Sequence, residues 1–395
     1  ALPMAEERRS EVTRGSLRGH RGDVNSLDFS PSVQLLASAS EDGTVRLWDT
    51  RLGRAIRCID AFDRAAVQLV GWGAPKGALP NALWAASGKS ILAFDLRSTD
   101  DVLVRAPSLV QAFPLEEDDE ISALALHHQG HSLALGDDNG GLHLFDITSP
   151  ADGAVALDQR AKVDAHSTVL SALAFRPQSP RDLVSTGLDC RIALWETVDM
   201  RKPAWAALMT PNSDSLSTTP SSSTQQSFNP PFVHTLDCHP EGRYFAAGLG
   251  DSSVAVYHAP SRSLCRRLQG HTAPIAHVHF ARFHPELLLT AGNDCHVGMW
   301  KLPELQGAGK SGKKARRKAS ASGGDRGPEG PDGGDPSNPL QPNFFLPHGR
   351  RINCLASHTH SPVFFVADVE AEITFYDTAR LDLAAPHADG LHSGG

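Results

Sequence analysis

The six cysteines, Cys58, Cys190, Cys238, Cys265, Cys295 and Cys354, include no Cys-x-x-Cys pair. That absence removes the simplest zinc and dithiol readings and leaves reduced core thiols, as expected inside a cell. The sequence also has no run of about eighteen apolar residues, the length a membrane-crossing helix needs. The first residues, "ALPMAEERRSEV", lack the apolar stretch of a secretory signal, so an intracellular place, nucleus or cytoplasm, is expected. Ala1 stands where an initiator methionine is expected and Met4 follows closely, which leaves the true start open. Net positive charge is missing too: 37 Lys and Arg against 45 Asp and Glu give −8. This argues against a protein that coats nucleic acid, whose affinity comes mostly from neutralising phosphates. No glycine-rich loop leads from a strand into a helix, so neither a nucleotide nor another cofactor is expected.

What is present is a repeat. Three segments share one pattern: "GHRGDVNSLDFSPSVQLLASASEDGTVRLWD" from Gly19, "AHSTVLSALAFRPQSPRDLVSTGLDCRIALWE" from Ala165, and "GHTAPIAHVHFARFHPELLLTAGNDCHVGMWK" from Gly270. Each opens on Gly-His or Ala-His, alternates apolar residues, turns at proline, runs through a second apolar stretch, turns at aspartate and closes on tryptophan. The pattern resembles the WD repeat, one four-stranded blade of a β-propeller. Weaker copies close on Phe94, Phe145, Tyr257 and Tyr376. With Trp48, Trp195 and Trp300 these make seven, and an all-β, seven-bladed WD-repeat propeller over residues 12–378 is expected.

Two of the intervals between closing aromatics are too long. The first holds a Ser/Thr/Pro-rich stretch and the second a Gly-rich basic one, so low-complexity loop insertions are expected at 209–231 and 303–343, with flexible tails at 1–11 and 379–395. The segment "VTRGSL" at Val12 to Leu17 precedes the first repeat and has no blade of its own. It can supply the outer strand of the last blade, closing the ring without an open edge. The C-terminal tail competes for that role, and the sequence leaves the two open.

His20, Ser38 and Asp42 precede Trp48; His166, Ser185 and Asp189 precede Trp195; His271, Thr290 and Asp294 precede Trp300. Serine, histidine and aspartate together invite a hydrolase reading, yet a catalytic set is not built three times around one ring. The sets are read as buried hydrogen-bond networks that satisfy polar groups inside the fold. The clusters "HHQGH" at His127, "HVH" at His277 and "HTH" at His358 lack a recognisable third zinc ligand. The first is expected to be a solvated turn, and no metal site is expected. With no other titratable cluster in view, the chain is read as a binding protein and not an enzyme.

Arg51 follows Trp48-Asp49-Thr50, and Arg97 follows Phe94-Asp95-Leu96 at the same offset one blade on. Adjacent blades are neighbours, so two guanidiniums are expected side by side on one rim, suited to carboxylates and backbone oxygens of a partner. Chance recurrence of a common residue remains the alternative. The stretch "LLASASEDGTVRLWDTR" resembles the box of WD-repeat substrate receptors of the cullin-4 ubiquitin ligase. That resemblance implies docking on the adaptor, damage-specific DNA-binding protein 1, through Asp49 and Arg51, and more loosely through Asp95 and Arg97, where Phe94 replaces Trp and Gly88 the turn aspartate. The chain is also similar to the WD repeat-containing protein 53 family, on "EEDDEISALAL", "AFRPQSPRDLVSTGLDCRIALW", "LLLTAGNDCHVGMW", the basic insert and "FFVADVEAEITFYD". A monomer within a larger complex, holding an unidentified substrate protein, is expected, and the apolar pattern and net charge point to no membrane and no specific nucleic acid as partner.

Two charged runs complete the reading. Lys310, Lys313, Lys314, Arg316, Arg317 and Lys318 have the composition of a nuclear localisation signal, with weak phosphate contacts or plain solvation as alternatives. Glu116, Glu117, Asp118, Asp119 and Glu120 are expected on the top face, where they would attract a cationic peptide or simply be solvated. The rival to the receptor reading is therefore a nuclear scaffold or histone-peptide-binding propeller independent of a ligase.

Overall fold

The computed structural model describes residues 12–30, 32–76, 79–97, 101–105, 110–114, 119–148, 156–210, 229–302 and 342–381. These form seven sheets, antiparallel except for one short added strand, whose inner strands contact one another in cyclic order around a central channel. The inner strands, from blade 1 to blade 7, are Val24–Phe29, Leu69–Trp72, Ile121–Leu126, Leu170–Phe175, Val233–Cys238, Ile275–Phe280 and Ile352–Ser357. The chain is thus an all-β, seven-bladed propeller. Among the described residues no helix is long and apolar enough to cross a membrane.

Burial follows position in the blade. Second strands such as Leu35–Ser40 and Ser132–Asp137 are buried almost throughout, because a sheet packs on each of their faces. Outer strands such as Ala156–Asp164 alternate between half-buried and exposed. The seven closing aromatics end or nearly end the third strands and are all buried, in apolar clusters that span neighbouring blades. The largest such residues exclude water from the seams and supply much of the fold's stability.

The inner strands carry a second device. In every blade except blade 2, the register with the second strand slips between the first and third residues of the inner strand. A bulged residue leaves the ladder and is re-aimed. Here several turn toward the next blade: Asn25 donates to the Val67 carbonyl, Ser122 to Leu170, Ser171 to Val233, and Asn353 to Val24, at 2.6 to 3.2 Å. Four seams are stitched this way at the top of the channel.

Thr13–Arg18 closes the ring. It pairs antiparallel with Glu372–Asp377, from Thr13 opposite Asp377 to Arg18 opposite Glu372, and buries Leu17 against Trp48 and Phe365. Of the competing tail, residues 379–395, Ala379–Leu381 form a turn and not a strand, and 382–395 lie outside those described. Near the insertions, Met209 is buried beside Tyr257 and Asn343 caps the third strand of blade 6, so both residues are held against blades.

Blade 1 has five strands where four are expected. Leu103–Val104, from the connection between the third and outer strands of blade 2, pairs in parallel with the outer strand Arg54–Ile59 of blade 1. Two residues carry no readable periodicity, which is why the sequence does not announce it.

Candidate docking face

The repeated hydrogen-bond sets tie the top turns to the blade interiors. In blade 1, Trp48 Nε1–H donates to Ser38 Oγ at 2.8 Å, His20 Nε2 lies 2.7 Å from the same oxygen, and His20 Nδ1 lies 2.9 Å from Asp42. With the indole donating, the hydroxyl proton points to Nε2 and the imidazole donates from Nδ1, which assigns the tautomer by its network. Asp42 also accepts the Arg21 and Thr44 amides. Blades 4 and 6 repeat the arrangement through His166, Ser185, Asp189 and Trp195 and through His271, Thr290, Asp294 and Trp300. Ser38, Ser185 and Thr290 are wholly buried and already hydrogen-bonded, so none is placed as a nucleophile, which must reach a substrate. Burial pulls the His20 and His166 pKa down, against the aspartates that raise it.

Two further networks escape the sequence pattern. His348 Nε2–H donates to Asp368 at 2.7 Å, and Tyr376 O–H donates to Nδ1 at 2.8 Å, with all three buried. In blade 3, His143 bonds Asp137 at 2.8 Å. Both acids sit at the end of the second strand, in the register position of Ser40, two residues before the usual place. The phenol spans the gap that a serine otherwise bridges. Tyr376→Phe is expected to leave the imidazole without its donor and to cost about 1–3 kcal/mol, measured as a shift in urea unfolding midpoint at unchanged slope.

Top and bottom follow from strand direction: second-to-third turns lie on top, and first-to-second and third-to-outer turns lie on the bottom. Arg51 and Arg97 are therefore on the bottom rim of adjacent blades. Asp49 Oδ1 accepts the amides of Arg51 and Leu52 at 2.9 and 3.1 Å, and Arg51 Nη2 lies 3.5 Å from Oδ2. Asp95 accepts the Arg97 amide at 2.9 Å and the guanidinium in a fork, Nε at 2.9 Å and Nη2 at 3.0 Å. The fork holds the Asp95 carboxyl below its usual range. At Asp49 burial pushes the other way and is outweighed by the Leu52 and Arg51 amides. The side chains are 84% and 60% exposed at Arg51 and Arg97, so the aspartates orient them without covering them.

A third turn of the same kind, Asp199-Met200-Arg201, stands on the bottom of blade 4, with fork distances of 2.8 Å and Arg201 88% exposed. It begins four residues after Trp195 where Asp49 follows Trp48 directly, so a search at fixed offset misses it.

The other singled-out residues are dispersed. On top, Asp119 accepts from Asn139 and the Glu120 amide bonds Asp138; Glu116, Glu117 and Asp118 lie outside the described residues, as does the basic run Lys310, Lys313, Lys314, Arg316, Arg317 and Lys318. His127, expected in a solvated turn, is buried: its Nε2 donates to the Pro180 carbonyl of blade 4 and its Nδ1 accepts the Gln129 amide. Burial, with the neighbouring His128 and His131, pushes its pKa down to about 4. Among the described residues no three His, Cys, Asp or Glu side chains are grouped to hold a metal.

The channel brings the "HVH" pair, His277 and His279, together with acids and an arginine that sequence reading did not join to it. A cavity of about 420 Å³ is bordered by Asp28, Asp237, His277, His279 and Arg282, brought together from blades 1, 5 and 6. Asp28 and Asp237 occupy equivalent places, accepting the amides of Trp72 and Phe280 in the next blade at 2.7 and 2.8 Å. Their surroundings differ. His279 Nδ1 lies 3.3 Å and Arg282 Nη2 3.4 Å from Asp237, whereas Gly71 and Ala74 take those places beside Asp28. Burial raises the Asp28 pKa to about 6. At Asp237 burial is outweighed by Arg282 and His279, and the pKa falls to about 2.

Ring closure, seven buried closing aromatics and the Asp-His networks define the class: the chain is a WD-repeat β-propeller, a fold that in general serves as a non-catalytic scaffold for protein interaction. Residues 11–49 and 262–301 match the family described as WD domain, G-beta repeat. Along most of its length the chain is similar to the WD repeat-containing protein 53 homolog of Dictyostelium discoideum, at 25% identity over 74% of this chain and 79% of that protein. It is also similar to apoptotic protease-activating factor 1 of Danio rerio, 23% identical over 74% of this chain but only 24% of that protein. Ribosome biogenesis protein erb1 of Botryotinia fuckeliana is 34% identical over 28% of this chain and 13% of its own length.

Proposed function

We propose that the chain is a substrate receptor of the cullin-4 ubiquitin ligase, docking on damage-specific DNA-binding protein 1 through its bottom rim and presenting a substrate protein on another face. The observation that carries this reading is the pair of Asp-x-Arg turns on adjacent blades, each with its arginine oriented by its own aspartate and left open to a partner. An orienting aspartate lowers the entropy lost when the guanidinium meets a carboxylate or carbonyl, so two such groups give affinity beyond that of free surface arginines. The receptor performs no bond chemistry; it raises the effective concentration of a target near the ligase. The basic run at Lys310 to Lys318 supports a nuclear place of action, with the cytoplasm as the alternative.

The test is capture of the adaptor and cullin-4 from cells by the full chain, followed by direct binding to purified adaptor. The Arg51→Ala/Arg97→Ala double variant is expected to lose about 100-fold in affinity, as for two interface arginines. Equal binding by wild type and variant overturns the role of these arginines, and no binding by either overturns the receptor reading. A second reading, a nuclear scaffold or histone-peptide reader, is favoured by the exposed acids Glu120 and Asp138 on the top of blade 3. It calls for charge reversal at Asp119, Glu120 and Asp138 to abolish binding of a basic peptide while the arginine variant retains it.

A further inference from the structure

The two arginine turns belong to different blades, and independent blades would let their spacing drift. The connection leaving the third strand of blade 2 removes that freedom. Arg57, in the outer strand of blade 1 opposite Leu47, extends its guanidinium across the seam, and Nη1 donates to the Leu96 carbonyl at 2.6 Å. Leu96 is the middle residue of the Asp95-Leu96-Arg97 turn, and its side chain packs on the apolar cluster shared by blades 1 and 2. Farther along, the Cys58 and Asp60 amides donate to the Val102 and Val104 carbonyls, each at 2.8 Å, and Val104 is buried in the same cluster. Blade 1's outer strand therefore begins just after Arg51 and holds the segment that carries Arg97.

We infer that Arg57 is a positioning residue that fixes the spacing of Arg51 and Arg97 across the seam, so that the two guanidiniums meet a partner as one preorganised pair. A half-buried charge-assisted hydrogen bond to a carbonyl is suited to this, since a planar, permanently charged guanidinium reaches across the seam and loses less freedom per hydrogen bond than a lysine ammonium. The functional part rests on the docking reading above; the positioning itself does not. A pair held at fixed separation binds with less ordering cost than two turns that move separately.

The experiment uses the full chain as wild type, Arg57→Ala, Arg57→Lys and Arg57→Ala/Arg97→Ala, read by amide hydrogen exchange and by affinity for purified damage-specific DNA-binding protein 1. Arg57→Ala is expected to speed exchange at Arg97, Cys58 and Asp60 while amides in Leu287–Gly292, across the ring, exchange as in wild type. It is expected to weaken adaptor binding about tenfold, with partial rescue by Arg57→Lys, and to add less than about threefold once Arg97 is already alanine, the signature of coupled sites. Unaltered exchange at Arg97 overturns the positioning whatever the adaptor does. Full additivity with Arg97→Ala overturns its link to docking. A wild-type chain that ignores the adaptor overturns the docking reading, and the exchange data then still decide whether Arg57 holds Arg97 in place.

Discussion

Replacing Gly140 by alanine is expected to destabilise the propeller by about 3–5 kcal/mol, the range of a severe backbone clash. Gly140 lies in the top turn of blade 3 at φ +92, and an added Cβ would sit 2.3 Å from the His166 carbonyl oxygen and 2.5 Å from that of Thr168. Both obstacles are backbone, so neither can swing aside. The same loop is tied to Gly140 from the other direction, since the Ala165 and His166 amides both donate to its carbonyl at 3.0 Å. Relieving the clash must therefore drag His166 away from Asp189 and Ser185 and spread the damage into blade 4. Gly53 is the internal comparison: its φ of +64 is also left-handed, but nothing lies within 4 Å of an added Cβ. Gly53→Ala is expected to cost about 1–2 kcal/mol, the conformational term alone. Equal urea midpoints for the two variants would falsify this account.

The channel aspartates give the second large effect, with opposite signs at equivalent places. Asp28 titrates near 6 in the fold, above the ordinary carboxyl value of 3.8, so its ionisation opposes folding: stability is fullest below pH 4, falls as pH rises through 6, and stays lower beyond. Asp237 titrates near 2, so its contribution is present above pH 4 and is lost as pH falls toward 2. Asp28→Asn keeps an oxygen for the Trp72 amide and removes the buried charge. At pH 7 it is expected to stabilise by about 2–3 kcal/mol, with the gain gone at pH 4. Asp237→Asn, which leaves Arg282 with only the more distant Asp28 as counter-charge, is expected to destabilise by about 2 kcal/mol at pH 7 and to approach wild type near pH 2. Unfolding midpoints across that range decide both, and parallel pH curves for wild type and Asp28→Asn would show that the Asp28 carboxyl is not raised above its ordinary range.

The features that could be read in the sequence are those that repeat with a fixed offset. Gly-His or Ala-His before a strand, aspartate after the second strand and tryptophan near the end of the third identify blades 1, 4 and 6, because one local sequence makes one local structure three times. The Asp-x-Arg turns of blades 1 and 2 were legible for the same reason. Arg201 was not, because three residues intervene between Trp195 and the turn aspartate and shift the pattern. The His348-Asp368-Tyr376 network was hidden because its acid moves two places and its hydroxyl comes from the closing aromatic itself. Asp28, Asp237 and Arg282 are far apart in sequence and meet only because inner strands of several blades converge on one axis. Arg57 gives no sign at all, since its partner is a backbone carbonyl.

The pairing of Thr13–Arg18 with Glu372–Asp377 has a consequence for how the protein is made. Thr13–Arg18 precedes every other strand of the propeller, and it has no hydrogen-bonding partner until the last blade has been synthesised, so ring closure waits for the whole propeller. Bringing such distant ends together carries a loop-closure cost of about 5 kcal/mol for a flexible chain, reduced in proportion as intervening blades stack. Contacts of this span make folding slow. Throughout that interval Thr13–Arg18 stands unpaired and open to any other extended chain, so a nascent propeller carries a hazard of mispairing until its final step.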